Sequence, residues 1–282
     1  MKKILVVGTG QMGGGIIQVL LQGGYRVNAY DAVAAALAAL KPKIGKAFDK
    51  LKEKGKADDA QINGWLDSLT TCDSLEAAAA DIDLVIEAAT ENVDLKISLF
   101  KKLDELCAKN TILASNTSSI SITKIAAATK RPEKVTGMHF FNPVPVMKLL
   151  EIIPGLHTAE ETCGACQALG EKLGKTVVRI NIDAPGFVVN RILVPMINEA
   201  VLVLQEGITG ADAIDKAMAA GANHPMGPLA LSDLIGNDTV LAIMQVLYDE
   251  FQDPKYRPAL LLKRMVAAGK LGRKSGEGFF PY

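Results

Sequence analysis

Gly8-Thr9-Gly10-Gln11-Met12-Gly13 sets three glycines in the spacing G-x-G-x-x-G. Glycine at the first place permits a tight turn, at the second lets a phosphate reach the backbone, and at the third lets a helix pack close to a sheet. An apolar, strand-like run from Lys2 to Gly8 leads into the motif, and Gln11–Gln22 after it has helical spacing. A second strand pattern, Tyr25–Asp31, then ends in a carboxylate about 20 residues further on. This order predicts a dinucleotide site, with the amides of Gln11 and Met12 and the positive helix end holding the diphosphate. Asp31 would accept the adenosine ribose hydroxyls and repel a 2′-phosphate. Ala32-Val33-Ala34-Ala35 supplies no arginine to receive one, so the expected cofactor is NAD rather than NADP.

A bound nicotinamide implies hydride transfer, and oxidation of an alcohol then needs a base for the hydroxyl proton. His139, in Gly137-Met138-His139-Phe140-Phe141-Asn142-Pro143, lies at the carboxyl end of a predicted strand, where open α/β sheets place their ligands. Imidazole titrates near neutrality and suits that task. Glu151 follows on the next short strand, near enough in sequence to fix the tautomer and stabilise the imidazolium. His224, in a turn opening a helix, and His157, in a surface loop, are read as structural. Cys163 and Cys166 form a Cys-x-x-Cys, but no second ligand pair exists and the surrounding pattern is an amphipathic helix on which i and i+3 share a face. They are read as core residues, with no metal site.

The elements that must carry these residues alternate. Strand patterns at Asp83–Ala89, Thr111–Ser115, Lys134–Phe141, Leu149–Ile153 and Thr176–Ile180 are interleaved with helical ones such as Val93–Cys107. Such alternation implies an α/β, Rossmann-type, doubly wound and mostly parallel sheet. Ala32–Asp67 reads as a helical insertion whose exposed face is basic, with Lys41, Lys43, Lys46, Lys50, Lys52, Lys54 and Lys56. After Asp183-Ala184-Pro185-Gly186 only helical patterns remain. Residues 1–184 are therefore expected to form the dinucleotide-binding domain and 185–282 an all-helical C-terminal domain for substrate and dimerisation. Phe187–Leu204 and Leu229–Leu247 are hydrophobic over more than one face, which calls for burial against another helical layer.

Composition narrows the function classes. With 31 basic and 31 acidic side chains, net charge zero and 5% aromatics, the chain lacks the basic surface of a nucleic-acid binder and the rings of a stacking platform. Met1-Lys2-Lys3 before an uncharged stretch resembles a signal peptide, yet the glycines and glutamines of residues 8–24 make a poor apolar span. The expectation is a cytoplasmic protein with no membrane and no nucleic-acid partner.

Together the opening glycine motif, Ser115-Asn116-Thr117-Ser118-Ser119, His139-Phe140-Phe141-Asn142-Pro143, Asp183–Arg191 and the ending Gly272–Phe280 resemble the 3-hydroxyacyl-CoA dehydrogenases over the whole chain. The resemblance implies NAD-dependent interconversion of short-chain (S)-3-hydroxyacyl-CoA and 3-ketoacyl-CoA, such as acetoacetyl-CoA, in fatty-acid or butanoate metabolism. It implies His139 as catalytic base with Glu151 as partner, and Ser118 and Asn190 around the substrate's 3-oxygen and thioester. Cofactor contacts carried over with it are Gly8, Gly10, Gln11, Met12, Gly13, Asp31, Ala88, Glu91, Lys96, Ser118, Asn142 and Lys274. Read by themselves, Lys96 and Lys274 would be exposed helix and tail lysines. Lys50 and Lys54 are expected to meet CoA phosphates, with plain surface charge as the competing reading. A homodimer built from the helical domain is implied as well. The rivals are a sugar-acid (gulonate) dehydrogenase using the same His–Glu pair, against which the basic insertion stands, and a non-catalytic NAD-binding protein, against which the complete residue set stands.

Overall fold

Eight strands make one sheet: β1 (Lys3–Val7), β2 (Arg26–Tyr30), β3 (Leu69–Thr71), β4 (Leu84–Glu87), β5 (Ile112–Ser115), β6 (Val135–Phe140), β7 (Leu149–Pro154) and β8 (Thr176–Arg179). The computed structural model describes residues 1–282 and divides into two units, Met1–Asp183 and Ala184–Tyr282. In the first unit the strand order is β3-β2-β1-β4-β5-β6-β7-β8. The neighbours pair in parallel except β6 and β7, which are antiparallel. The chain runs outward from β1 to β3 and returns to β4 on β1's other side. Strand order therefore reverses between β1 and β4, and the crevice at their carboxyl ends is where a doubly wound sheet binds its ligand.

Strands β1, β4 and β5 are almost continuous runs of buried aliphatic residues, as a sheet covered on both faces requires. The covering helices are α1 (Gln11–Gln22), α2 (Ala34–Glu53), α3 (Asp59–Asp67), α4 (Leu75–Ala78), α5 (Val93–Leu106), α6 (Ile122–Ala126) and α7 (Glu160–Lys172). Leu37, Leu40, Ile44 and Phe48 recur at helical spacing on α2 and are buried, leaving its lysines on the exposed side. Asp58 and Gln61 close a reciprocal capping box at the start of α3, and Trp65 returns onto Phe48 with ring centroids 4.9 Å apart.

The second unit holds α8 (Val189–Gln205), α9 (Ala211–Gly221), α10 (Pro228–Ile235), α11 (Asn237–Phe251) and α12 (Leu260–Ala267). Its core includes Val194, Ile197, Val201, Leu229, Val240, Met244, Leu247 and Leu262. The apolar stretch Leu229–Leu247 is two helices: Gly236 takes φ +104° and the axes turn by 97° there. An L side chain rarely adopts that φ, so the break is written in one glycine. No single helix is long and apolar enough to cross a membrane.

Strand β3 and the short helices α4 and α6 were not among the expected elements. The three residues Leu-Thr-Thr of β3 are too few to show a period, and β3 is an edge strand held only through β2.

Candidate active site

The glycine turn joins β1 to α1. Gly8 has φ +95°, and a Cβ there would lie 2.6 Å from the Ala88 carbonyl oxygen. At Gly13 a Cβ would stand 1.8 Å from the Gly8 carbonyl oxygen, so α1 could not approach the turn with any side chain at that place. Gly10, the N-cap residue, has nothing within 4 Å of the same position. The first turn of α1 has no side-chain cap and no acidic residue. Its amides and the positive helix end thus face open space through an exposed glycine, which fits a diphosphate. Asp31 follows the last residue of β2. Its Oδ2 accepts from the Thr9 amide (2.7 Å) and hydroxyl (2.9 Å), and its Oδ1 from the Val33 amide (2.9 Å). The carboxylate braces the turn, and its four acceptor positions leave capacity for a hydroxyl ligand. Gln11 donates through Nε2 to Asn142 Oδ1 at 3.0 Å, tying α1 to the loop after β6.

His139 and Glu151 are register partners across the antiparallel pair β6–β7. Side chains directly opposite in such a pair share one face of the sheet. Here the imidazole Nδ1 lies 2.7 Å from Glu151 Oε2, with His139 5% and Glu151 1% exposed. A carboxylate so placed accepts a hydrogen bond from a protonated Nδ1, which fixes the neutral imidazole in the tautomer with Nε2 unprotonated. The Phe141 ring packs on the imidazole at 4.5 Å between centroids, two residues along the same strand direction.

The loop after β5 carries Ser118. Glu91 Oε1 accepts from the Thr117 hydroxyl (2.6 Å), the Ser118 amide (3.0 Å), the Ser119 amide (3.2 Å) and the Ser119 hydroxyl (3.0 Å). Burial under this loop works against ionisation of Glu91, but the Lys96 ammonium and the loop donors outweigh it and hold the carboxyl below the ordinary range. Asn116 Oδ1 accepts from the Phe140 amide at 2.9 Å, which locks the same loop to the end of β6 beside His139.

Lys96 corrects an expectation. It is not the exposed helix lysine that its local pattern alone suggests: its side chain is 1% exposed, with Nζ 2.6 Å from Glu87 Oε1 and 3.3 Å from Glu91 Oε2. A helical stripe of Lys96, Phe100 and Leu103 points inward from α5, and that spacing was the available signal. Glu87, fully buried at the end of β4, was missed, although a charge closing the apolar run Leu84-Val85-Ile86 is itself a signal. Lys50 lies on one exposed face of α2 with Lys43 and Lys46, beside Ala39, Pro42 and Ala47. Lys54 caps the end of α2, one turn after Lys50. In the second unit, Asn190 is the second residue of α8, and Lys274 pairs with Asp238 at 2.5 Å. The structure therefore brings Gly8–Gly13, Asp31, Ala88, Glu91, Ser118, Asn142, His139 and Glu151 to the carboxyl-end side of one sheet, within the first unit.

Cys163 and Cys166 sit on the buried face of α7, among the core of the first unit. Burial raises the Cys166 thiol well above its ordinary value and pushes Cys107 up to about 11, which is inert thiol chemistry.

Comparison with known proteins matches residues 3–183 to the 3-hydroxyacyl-CoA dehydrogenase NAD binding domain and residues 186–282 to the C-terminal domain of the same enzymes. A probable 3-hydroxybutyryl-CoA dehydrogenase of Bacillus subtilis is 51% identical, covering 100% of this chain and 97% of its own. A 3-hydroxybutyryl-CoA dehydrogenase of Clostridioides difficile is 50% identical over 99% of both. The crystal structure of (S)-3-hydroxybutyryl-CoA dehydrogenase from Ralstonia eutropha superposes with a TM-score of 0.96 at 50% identity, over 100% of this chain and 99% of that one. With both domains matched end to end and a dinucleotide turn at the switch point of the sheet, the chain belongs to the 3-hydroxyacyl-CoA dehydrogenase family, NAD-dependent oxidoreductases of 3-hydroxyacyl-CoA.

Proposed function

We propose that this protein interconverts (S)-3-hydroxybutyryl-CoA and acetoacetyl-CoA, with His139 as the acid and base. The observation that carries the reading is the buried imidazole–carboxylate pair, 2.7 Å apart, at the carboxyl end of β6. The glycine turn and Asp31 would hold NAD, which would serve as acceptor of the hydride from C3 of the substrate. In oxidation, His139 Nε2 takes the 3-hydroxyl proton as the C–H bond breaks, and the Glu151 carboxylate stabilises the resulting imidazolium. Ser118 and Asn190 donate to the substrate oxygens, polarising the ketone in reduction and holding the alkoxide-like oxygen in oxidation. In reduction His139, protonated, returns the same proton.

Lys50 and Lys54, with Lys43 and Lys46 on the same helix, suit the phosphates of CoA. Lys274 and Glu91 are read as cofactor contacts, and Lys96 as acting on the cofactor through Glu91. The protein is taken as a cytoplasmic homodimer joined through the helical unit.

NADH consumption with acetoacetyl-CoA, alongside NAD reduction with gulonate, tests the reading. Turnover with the CoA ester alone is expected. Turnover with gulonate alone, or with neither, overturns it.

A further inference from the structure

Glu87 closes β4 with no solvent exposure. An ionised carboxylate in such a place requires partners, and Glu87 has them on both oxygens. Oε1 accepts from the Lys96 ammonium at 2.6 Å and the Ala89 amide at 2.7 Å, while Oε2 accepts from the Ser115 hydroxyl at 2.6 Å. Each side leads to the loop that carries Ser118. Through Ser115, whose oxygen accepts from the Thr117 amide at 3.2 Å, Glu87 braces the loop from below. Through Lys96 it reaches Glu91, which accepts from Thr117, Ser118 and Ser119 above. Its own carbonyl accepts from the Asn116 amide at 2.7 Å, and the next residue, Ala88, is the one against which Gly8 packs.

A buried ion pair is weak evidence for stability, because an apolar pair of similar volume would serve a strand and a helix as well or better. What such a pair does provide is fixed geometry. Lys96 is one cation between two carboxylates, 2.6 Å from Glu87 and 3.3 Å from Glu91. Glu87 takes the closer contact, so Lys96 attracts Glu91 without drawing it off the loop. We propose that Glu87 is a positioning residue: it holds Lys96 so that Glu91 keeps the Asn116–Ser119 loop, and with it Ser118, in place against the cofactor.

The inference rests on the reading of Glu91 and Ser118 as cofactor contacts. In Glu87→Gln the ammonium is left to Glu91 alone, Glu91 is pulled inward, and the loop loses its acceptor. NADH affinity, read by fluorescence titration, should weaken by about tenfold to a hundredfold, the scale seen when a partner that orients a binding residue is lost. In a Glu91→Gln background the same change should cost less than about twofold, since the route through Glu91 is already cut. An equal loss in both backgrounds, or wild-type affinity in Glu87→Gln, overturns the proposal. Should Glu87→Gln fail to fold, Glu87→Asp, whose shorter side chain cannot keep the 2.6 Å contact with Lys96, replaces it in both backgrounds: a loss of NADH binding that shrinks in Glu91→Gln supports the positioning role, and an equal loss or wild-type binding overturns it. Wild type that binds NADH and turns over acetoacetyl-CoA while Glu87→Gln matches it defeats the Glu87 proposal alone. Wild type that binds no NADH defeats the reading of the site, and this proposal with it.

Discussion

Glu91 connects protonation to architecture. Its carboxyl sits lower in the folded chain than in the unfolded one. The ionised form therefore stabilises the fold fully above the ordinary glutamate range, near pH 4–5, and that contribution fades as pH falls through the lowered value. Glu91→Gln should be less stable than wild type at pH 7, and the gap should close as the pH of a urea titration falls from about 5 toward 3. A gap that stays constant over that range would show that the charge plays no part. At Gly13 the argument is steric. A methyl group meeting the Gly8 carbonyl at 1.8 Å forces α1 or the turn to move. Gly13→Ala should cost about 1–3 kcal/mol in stability, as overpacking does, and weaken NADH binding at least tenfold. Wild-type values of both would mean that the close helix approach is not needed.

At the level of elements, the register of β6 against β7 sets His139 opposite Glu151. One residue of slip would send His139 and Glu151 to opposite faces. Proximity of the two was legible, because Asn142-Pro143-Val144-Pro145 between two short apolar runs reads as a reversal, but the register was not, since it depends on how the connecting loop folds. The alternation of strands and helices, and with it the sheet, was legible from period alone. The lone glycine at 236 was not, because apolar residues continue on both sides of it and only the backbone angle reveals the turn. Buried charges were the hardest to see. Lys96 shares a helical stripe with Phe100 and Leu103, and Glu87 ends an aliphatic strand, yet composition assigns lysine and glutamate to the surface by default. Their partners come from separate elements, so the compensation exists only in the folded chain.

For the whole molecule, the helical unit keeps large apolar side chains at its surface: Ile192, Leu234 and Leu260 are each about half exposed or more. Under the proposed homodimer, these side chains are candidates for burial against a second copy. Sedimentation equilibrium at micromolar concentration should give a mass near twice 29.9 kDa, and Ile192→Asp should lower it. A monomer in wild type would contradict the dimer. Helix α2, lysine-faced, and α3 are inserted between β2 and β3; under the proposed function the lysines of α2 are there for a phosphorylated carrier, which a small sugar acid would not need.

The most direct test of the account is His139→Gln, measured for turnover and for cofactor affinity in the same preparation. Removal of a general acid–base should lower kcat by about 10²–10⁴-fold for acetoacetyl-CoA reduction while the NADH dissociation constant stays near wild type. A His139→Gln enzyme turning over within a few-fold of wild type would contradict the proton-transfer role on which the mechanism stands.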